Sequence, residues 1–95
     1  MCAETENNNE CILYQNVPNP FHESTKIEYY LNDDVQKAYI YIYDMNGTQI
    51  KSLPVNIKGY GHVILYGNEL KAGMYMYSLI TDGEFVSTRQ MILTD

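Results

Sequence analysis

The sequence predicts an all-β domain, an immunoglobulin-like antiparallel β-sandwich of about seven strands. Three observations carry this prediction. Ten tyrosines accompany two phenylalanines and no tryptophan, and most of them fall in runs where apolar and polar side chains alternate. Turn sequences interrupt these runs at intervals of roughly 8 to 12 residues. No segment shows a convincing helical period.

The first elements are a short apolar run and a proline-rich elbow. Ile12-Leu13-Tyr14 predicts a short strand. Pro18-Asn19-Pro20 ends it, because proline cannot donate a ladder hydrogen bond, and we expect a rigid, extended elbow there. From Ser24 to Leu31 apolar residues take every second position, which predicts a half-buried strand.

The next run, from Val35 to Tyr43, alternates in the same way. Its core face is expected to carry Ala38, Ile40 and Ile42. The opposite face then carries a row of tyrosines, which is a candidate contact face for a sugar ring or a protein partner. The row consists of Tyr39, Tyr41 and Tyr43.

Two glycine turns predict hairpins. Asp44-Met45-Asn46-Gly47 leads into a strand from Thr48 to Leu53, and its Asn-Gly pair supplies the positive φ that a tight hairpin requires. Thr81-Asp82-Gly83-Glu84 makes a second hairpin into the last strand, Phe85 to Leu93.

Between these hairpins the pattern predicts two further strands. Pro54 and residues 58–61 bound a looser connection to a strand over residues 62–66, in which we expect His62 to be partly buried. Residues 74–80 alternate again. The residues Leu70, Gly73 and Tyr75 are typical of a tyrosine corner, in which the hydroxyl bonds to the backbone upstream.

The chain has 95 residues, which is enough for one small domain. Residues 1–10 are polar and aperiodic, so we interpret them as the end of a linker or an expression remnant and residues 11–95 as the domain. Cys2 and Cys11 bracket this stretch. We interpret them as incidental linker cysteines outside the core, with a disulfide as the alternative.

The charge balance excludes one class of partner. Twelve acidic and six basic residues give a formal net charge of −6. Nucleic-acid binding needs a basic face that this composition cannot supply. No stretch approaches the roughly 18 to 20 apolar residues of a membrane span.

The sequence shows no catalytic arrangement. A nucleophilic triad needs a Ser or Cys beside a His that a carboxylate orients, and neither His22 nor His62 lies in such a motif. Asp33-Asp34 is an adjacent carboxylate pair in a turn, where both groups should be solvated. The spacing of Cys and His fits no zinc site, and the turn at residues 44–47 lacks the further ligands of a calcium loop. We therefore expect no enzyme, no cofactor and no metal.

The remaining evidence on function comes from four sequence segments taken together in their order along the chain. The first is Leu13–Tyr29, with Pro18, Asn19, Pro20 and Phe21 at its elbow. The second and third are Ile42–Gly47, with Asp44 and Gly47, and Leu70–Tyr77, with Gly73, Tyr75 and Tyr77. The last is Arg89–Leu93, with Arg89 and Met91. As an ordered set over residues 11–95 they resemble the C-terminal sorting domains of the type IX secretion system of Bacteroidota.

This resemblance implies a secretion and sorting signal, and the motif residues named above are the candidate sorting-motif residues. The domain would be the tail of a larger N-terminal cargo, continuous with it in the chain. Its partners would be the outer-membrane translocon, shuttle and sortase proteins of that system. The cargo would pass through the periplasm and reach the cell surface or be secreted.

Two other hypotheses stay open from the residues alone. One is a fibronectin-like adhesion or carbohydrate-associated accessory module that uses the tyrosine row as its contact face. The other is a structural cap on a fibrous surface protein, with residues 1–10 as the junction. Secretion failure on deleting residues 88–95 would favour the sorting signal, and loss of glycan affinity on replacing Tyr39 and Tyr41 with Ala would favour the adhesion module.

Overall fold

Alternating apolar residues produce seven strands in the computed structural model, which describes residues 11–56 and 58–95. In chain order the strands are β1 (Ile12–Leu13), β2 (Ser24–Leu31), β3 (Ala38–Asp44), β4 (Gln49–Val55), β5 (Gly59–Tyr66), β6 (Gly73–Thr81) and β7 (Glu84–Leu93). A single 3-10 turn, Gly67–Glu69, follows β5. The interpretation of residues 1–10 as a linker, with Cys2, lies outside the described residues.

The strands form two antiparallel sheets. One has three strands in the order β1-β2-β5, and the other has four in the order β4-β3-β6-β7. The sheets bury a shared set of apolar side chains, as the all-β sandwich prediction requires. The largest fully buried side chains are Tyr29, Tyr77, Phe21, Leu13, Ile27, Leu31, Ile40, Ile42, Leu65, Leu79, Met91 and Val35.

Both predicted hairpins are confirmed. Gly47 has a φ of 86°, and the carboxylate Oδ1 of Asp44 accepts the backbone N–H groups of Asn46 and Thr48 at 2.9 and 3.0 Å. In the second hairpin Asp82 and Gly83 have φ values of 49° and 85°, so both central residues are left-handed. This backbone matches the twist of the flanking strands.

The tyrosine corner is also confirmed, since the Tyr75 hydroxyl donates to the Lys71 carbonyl at 2.6 Å. Pro54, predicted to bound a connection, instead lies inside β4 opposite Tyr39. Because β4 is an edge strand, the N–H that proline lacks costs no ladder bond. The short strand at Ile12–Leu13 is confirmed.

Three further expectations were wrong. The elbow at Pro18–Pro20 is bent, because the Asn16 side-chain Nδ2 donates to the Pro18 carbonyl at 3.1 Å and folds it back. His62 is exposed, because β5 turns Val63 and Leu65 inward. Cys11 belongs to the core and is disulfide-bonded, so it is not an incidental linker cysteine.

Candidate functional site

The bent elbow lies along the edge of β7, near the end of that strand. The Phe21 N–H donates to the Ile92 carbonyl at 3.0 Å, and the Thr94 N–H donates to the Phe21 carbonyl at 2.8 Å. The Ile92 N–H donates to the side-chain Oδ1 of Asn19 at 3.0 Å. The elbow therefore takes the place of a further strand beside β7 and satisfies backbone groups that an edge strand leaves unpaired.

Tyr77 connects the same N-terminal segment to the core of the four-stranded sheet. Its hydroxyl accepts the Asn16 N–H at 2.8 Å and donates to the Tyr14 carbonyl, also at 2.8 Å. Beside it, Arg89 Nε donates to the Leu13 carbonyl at 2.7 Å. The start and the end of the domain are thus bonded to each other across the sandwich.

Burial raises the pKa of Tyr77 to about 12, against smaller lowering effects of the hydrogen bond from Asn16 and of the Arg89 charge. Its ordinary value is 10.0, so the folded state holds this proton more tightly than the unfolded state does. The phenol therefore stays neutral and can donate to Tyr14 throughout the physiological pH range.

We expect the free energy of unfolding to fall as pH rises from about 10 to about 12. The stabilisation from Tyr77 is complete below the unfolded pKa and is lost as pH rises through the folded one. Urea denaturation across this range would measure the slope. Tyr77→Phe should reduce the slope, with a remainder from Tyr14 and Tyr43, whose pKa values burial also raises. An identical slope in the wild type and Tyr77→Phe would contradict the assignment.

The structure brings most of the predicted motif residues to one end of the sandwich. Asp44, Tyr75 and Met91 are direct neighbours in one row across β3, β6 and β7. Tyr77 pairs with Arg89 two residues along the strands on one side of this row, and Gly73 pairs with Leu93 two residues along on the other side. Four motif residues are buried: Phe21, Tyr75, Tyr77 and Met91. Six are exposed: Pro18, Asn19, Pro20, Gly47, Gly73 and Arg89.

Sequence reasoning missed two residues that hold this end together. Asn16 is a buried polar residue whose side chain bonds Thr25 at 3.0 Å, and no local pattern distinguishes it from a loop asparagine. Gly67 is buried against the His22 carbonyl, too close for a Cβ atom, and its N–H donates to the Glu23 carbonyl at 2.8 Å. The one sequence signal for a structural role of Gly67 was its position directly after a strand.

An open pocket of about 380 Å³ adjoins the elbow. Its lining includes His22, Glu23, Tyr66, Gly67 and Leu93. Within the described residues no group of three His, Cys, Asp or Glu side chains is placed to hold a metal ion.

The tyrosine row lies on the outer face of the four-stranded sheet, half-buried, as the alternation predicts. The ring centroids of Tyr39 and Tyr41 are 6.0 Å apart, and those of Tyr41 and Tyr43 are 6.4 Å apart. Burial raises the pKa of Tyr43. These spacings are those of ordinary aromatic pairs in a sheet, and a contact role for the row stays a prediction.

Among the described residues no helix is long and apolar enough to cross a membrane. Comparisons with curated proteins and with solved structures found no match. The family model described as a secretion system C-terminal sorting domain matches residues 16–94, from the asparagine bonded to Tyr77 to the threonine bonded to Phe21. The chain belongs to this family, the C-terminal sorting domains through which the type IX secretion system directs cargo export.

Proposed function

We propose that the export machinery reads a composite surface formed by the elbow (residues 16–21) and the end of the last strand (residues 89–94). The bonds that join Phe21 to Ile92 and Thr94 support this proposal, because they link the two ends of the family-matched region. The signal would then be a folded surface that exists only when both segments are in place.

The chemistry of this composite surface suits docking of a protein. Pro18, Asn19 and Pro20 are exposed, and two prolines limit the conformational entropy that binding would cost. The pocket beside His22 and Leu93 offers a concave site for a partner side chain. The family is one of secretion signals and is not known as an enzyme.

Membership of the family implies an N-terminal cargo continuous with the domain, and the type IX machinery as partner. We propose more specifically that an outer-membrane translocon and its shuttle protein bind the composite surface during transit through the periplasm. A sortase would then act on the segment between cargo and domain. The cargo reaches the cell surface or the medium.

A truncation cannot test this proposal. Deleting residues 88–95 removes Met91 and Leu93 from the core together with the pairing of β7, so the domain would lose its fold as well as any recognition surface. The test therefore needs exposed positions whose side chains leave the core intact.

We expect Ile92→Lys to reduce export of a fused reporter at least tenfold. Ile92 is 37% exposed beside the elbow, and a charged side chain there would disturb a docked partner without filling the core. Ile50→Lys on β4 is the matched control, because Ile50 is 38% exposed and lies outside the composite surface. The measurement is the reporter fraction at the surface and in the medium, with circular dichroism to verify both folds.

The proposal would be wrong if folded Ile92→Lys were exported like the wild type. It would also be wrong if Ile50→Lys, with its fold intact, lost export to the same extent, because recognition would then not be confined to the composite surface.

A further inference from the structure

We propose that β5 is a self-association edge, through which two copies of this chain pair antiparallel about Val63. The described residues form four sheet edges, at β1, β5, β4 and β7. Exposed edges invite pairing with another strand, and proteins usually block them with short strands, prolines, charges or bulges. Three of the four edges carry such a block.

The features that block pairing differ from edge to edge. β1 is too short, with two residues. β4 carries a charged residue, Lys51, and a proline, Pro54. β7 has a register shift between Leu79 and Ile80 of its neighbour, and the elbow covers its final residues through Phe21. β5 has eight residues, Gly-Tyr-Gly-His-Val-Ile-Leu-Tyr, and it pairs with β2 without a register shift. It contains neither proline nor an acidic or basic residue apart from His62.

The backbone of β5 is oriented for pairing. The backbone N–H and C=O of Lys26 in β2 both bond to Val17, which lies on the side of β2 away from β5. Because backbone groups alternate in direction along a strand, every second residue of β2, counted from Lys26, directs these groups away from β5. The residues opposite them on β5 consequently direct their N–H and C=O groups to the open side. These residues are Tyr60, His62, Ile64 and Tyr66, all with exposed side chains on one face.

The strand is complementary to itself. A two-fold axis at Val63 places Tyr60 opposite Tyr66 of the second copy, and His62 opposite Ile64 of the second copy, on the same face of a continuous six-stranded sheet. Tyr60 and Tyr66 are 74% and 52% exposed, although the Tyr60 ring packs against Tyr30 with ring centroids 4.8 Å apart. Each pairing would therefore cover part of two exposed aromatic side chains.

The tyrosines favour this register. Pairing about His62 would set Tyr60 opposite Ile64 of the second copy, and pairing about Ile64 would set Tyr66 opposite His62. Of these three registers only pairing about Val63 sets tyrosine opposite tyrosine, and cross-strand aromatic pairs stabilise a sheet.

The buried area predicts a weak dimer. A strand of this length is roughly 25 Å long at about 3.3 Å per residue. Its thickness is about 10 Å, the distance at which sheets pack face to face. The contact thus buries some hundreds of Å², well below the roughly 1,200 to 2,000 Å² of a stable interface. The net charge of −6 on each copy also opposes association. Self-association should therefore appear only at high concentration.

Sedimentation equilibrium of the 95-residue chain between about 10 µM and about 1 mM tests the proposal. We expect a concentration-dependent monomer–dimer equilibrium, and Ile64→Lys should raise the dissociation constant at least tenfold. Ile50→Lys, at 38% exposure against 39% for Ile64, is the matched control and should leave the equilibrium unchanged. A monomer at every concentration, or a dimer that survives Ile64→Lys, would overturn the proposal.

A cysteine pair tests the register separately. His62→Cys and Ile64→Cys should form an intermolecular disulfide when the two variants are mixed under oxidising conditions, because directly paired residues lie within bridging distance. Neither variant should cross-link by itself, since like positions are diagonal neighbours in this register. Cross-linking of either variant with itself, with no heterodimer in the mixture, would exclude pairing about Val63.

Discussion

Replacing Tyr77 with Ala is expected to lower the free energy of unfolding by about 3 to 5 kcal/mol, the usual cost of truncating a buried aromatic side chain. Tyr77 is fully buried, and its hydroxyl pairs the Asn16 N–H and the Tyr14 carbonyl. A domain of this size has only about 5 to 14 kcal/mol of stability, so the substitution removes a large part of it. Urea denaturation followed by circular dichroism measures the loss.

Tyr77→Phe separates the two contributions of this side chain. The ring stays, but the buried N–H of Asn16 loses its partner, and we expect a loss of about 1 to 3 kcal/mol, the usual cost of an unpaired buried group. The bond to the Tyr14 carbonyl is only partly buried, so its loss should cost less. Tyr41→Phe on the half-buried outer face is the matched control, expected to change stability by less than about 0.5 kcal/mol. Equal losses for the two variants would show that the hydroxyl of Tyr77 does not hold the N-terminal segment.

The second large effect is expected at Gly67. A Cβ atom there would overlap the His22 backbone carbonyl and press on the side chain of Leu93. Because the carbonyl belongs to the backbone next to the elbow, it cannot move aside as a flexible side chain would. We expect Gly67→Ala to cost about 3 kcal/mol, at the upper end of ordinary overpacking, and to loosen the elbow from β7. Thermal unfolding and hydrogen exchange of the Thr94 amide measure the two effects.

Gly47→Ala is the control for Gly67. Gly47 has the left-handed φ of 86° but open space around it, so alanine should cost only about 1 to 2 kcal/mol. If backbone conformation alone set the cost, Gly47→Ala would be the more destabilising substitution, because Gly47 has a left-handed φ and Gly67 does not. A smaller loss at Gly67 than at Gly47 would contradict the close approach of the elbow.

Several features of the fold were predictable because their signals are local. The side-chain period of two identified the core faces of β2 and β3, since successive side chains of a strand point to opposite sides. The Asn-Gly and Asp-Gly pairs located both hairpins, because they supply the left-handed backbone that these turns need. The ordered motifs identified the family.

Position within a sheet was not predictable from such signals. In β5 both faces carry apolar residues, with Val63 on one and Ile64 on the other, so alternation alone could not assign His62. Its exposure follows from the pairing with β2, which turns Val63 and Leu65 toward the core. The burial of Cys11 was unpredictable for the same reason, because it depends on the sheets that close over this residue.

The sequence by itself thus determined the strands and the tight turns, which depend on residues close together in the chain, and the family, which follows from the order of four short motifs. The tertiary structure decided how the elbow reaches the last strand. Asn16 and Tyr77 are 61 residues apart, and Asn19 and Ile92 are 73 apart. Hydrogen bonds between such distant residues leave no periodic trace in the sequence, and they form only when packing of the two sheets brings both ends of the chain together.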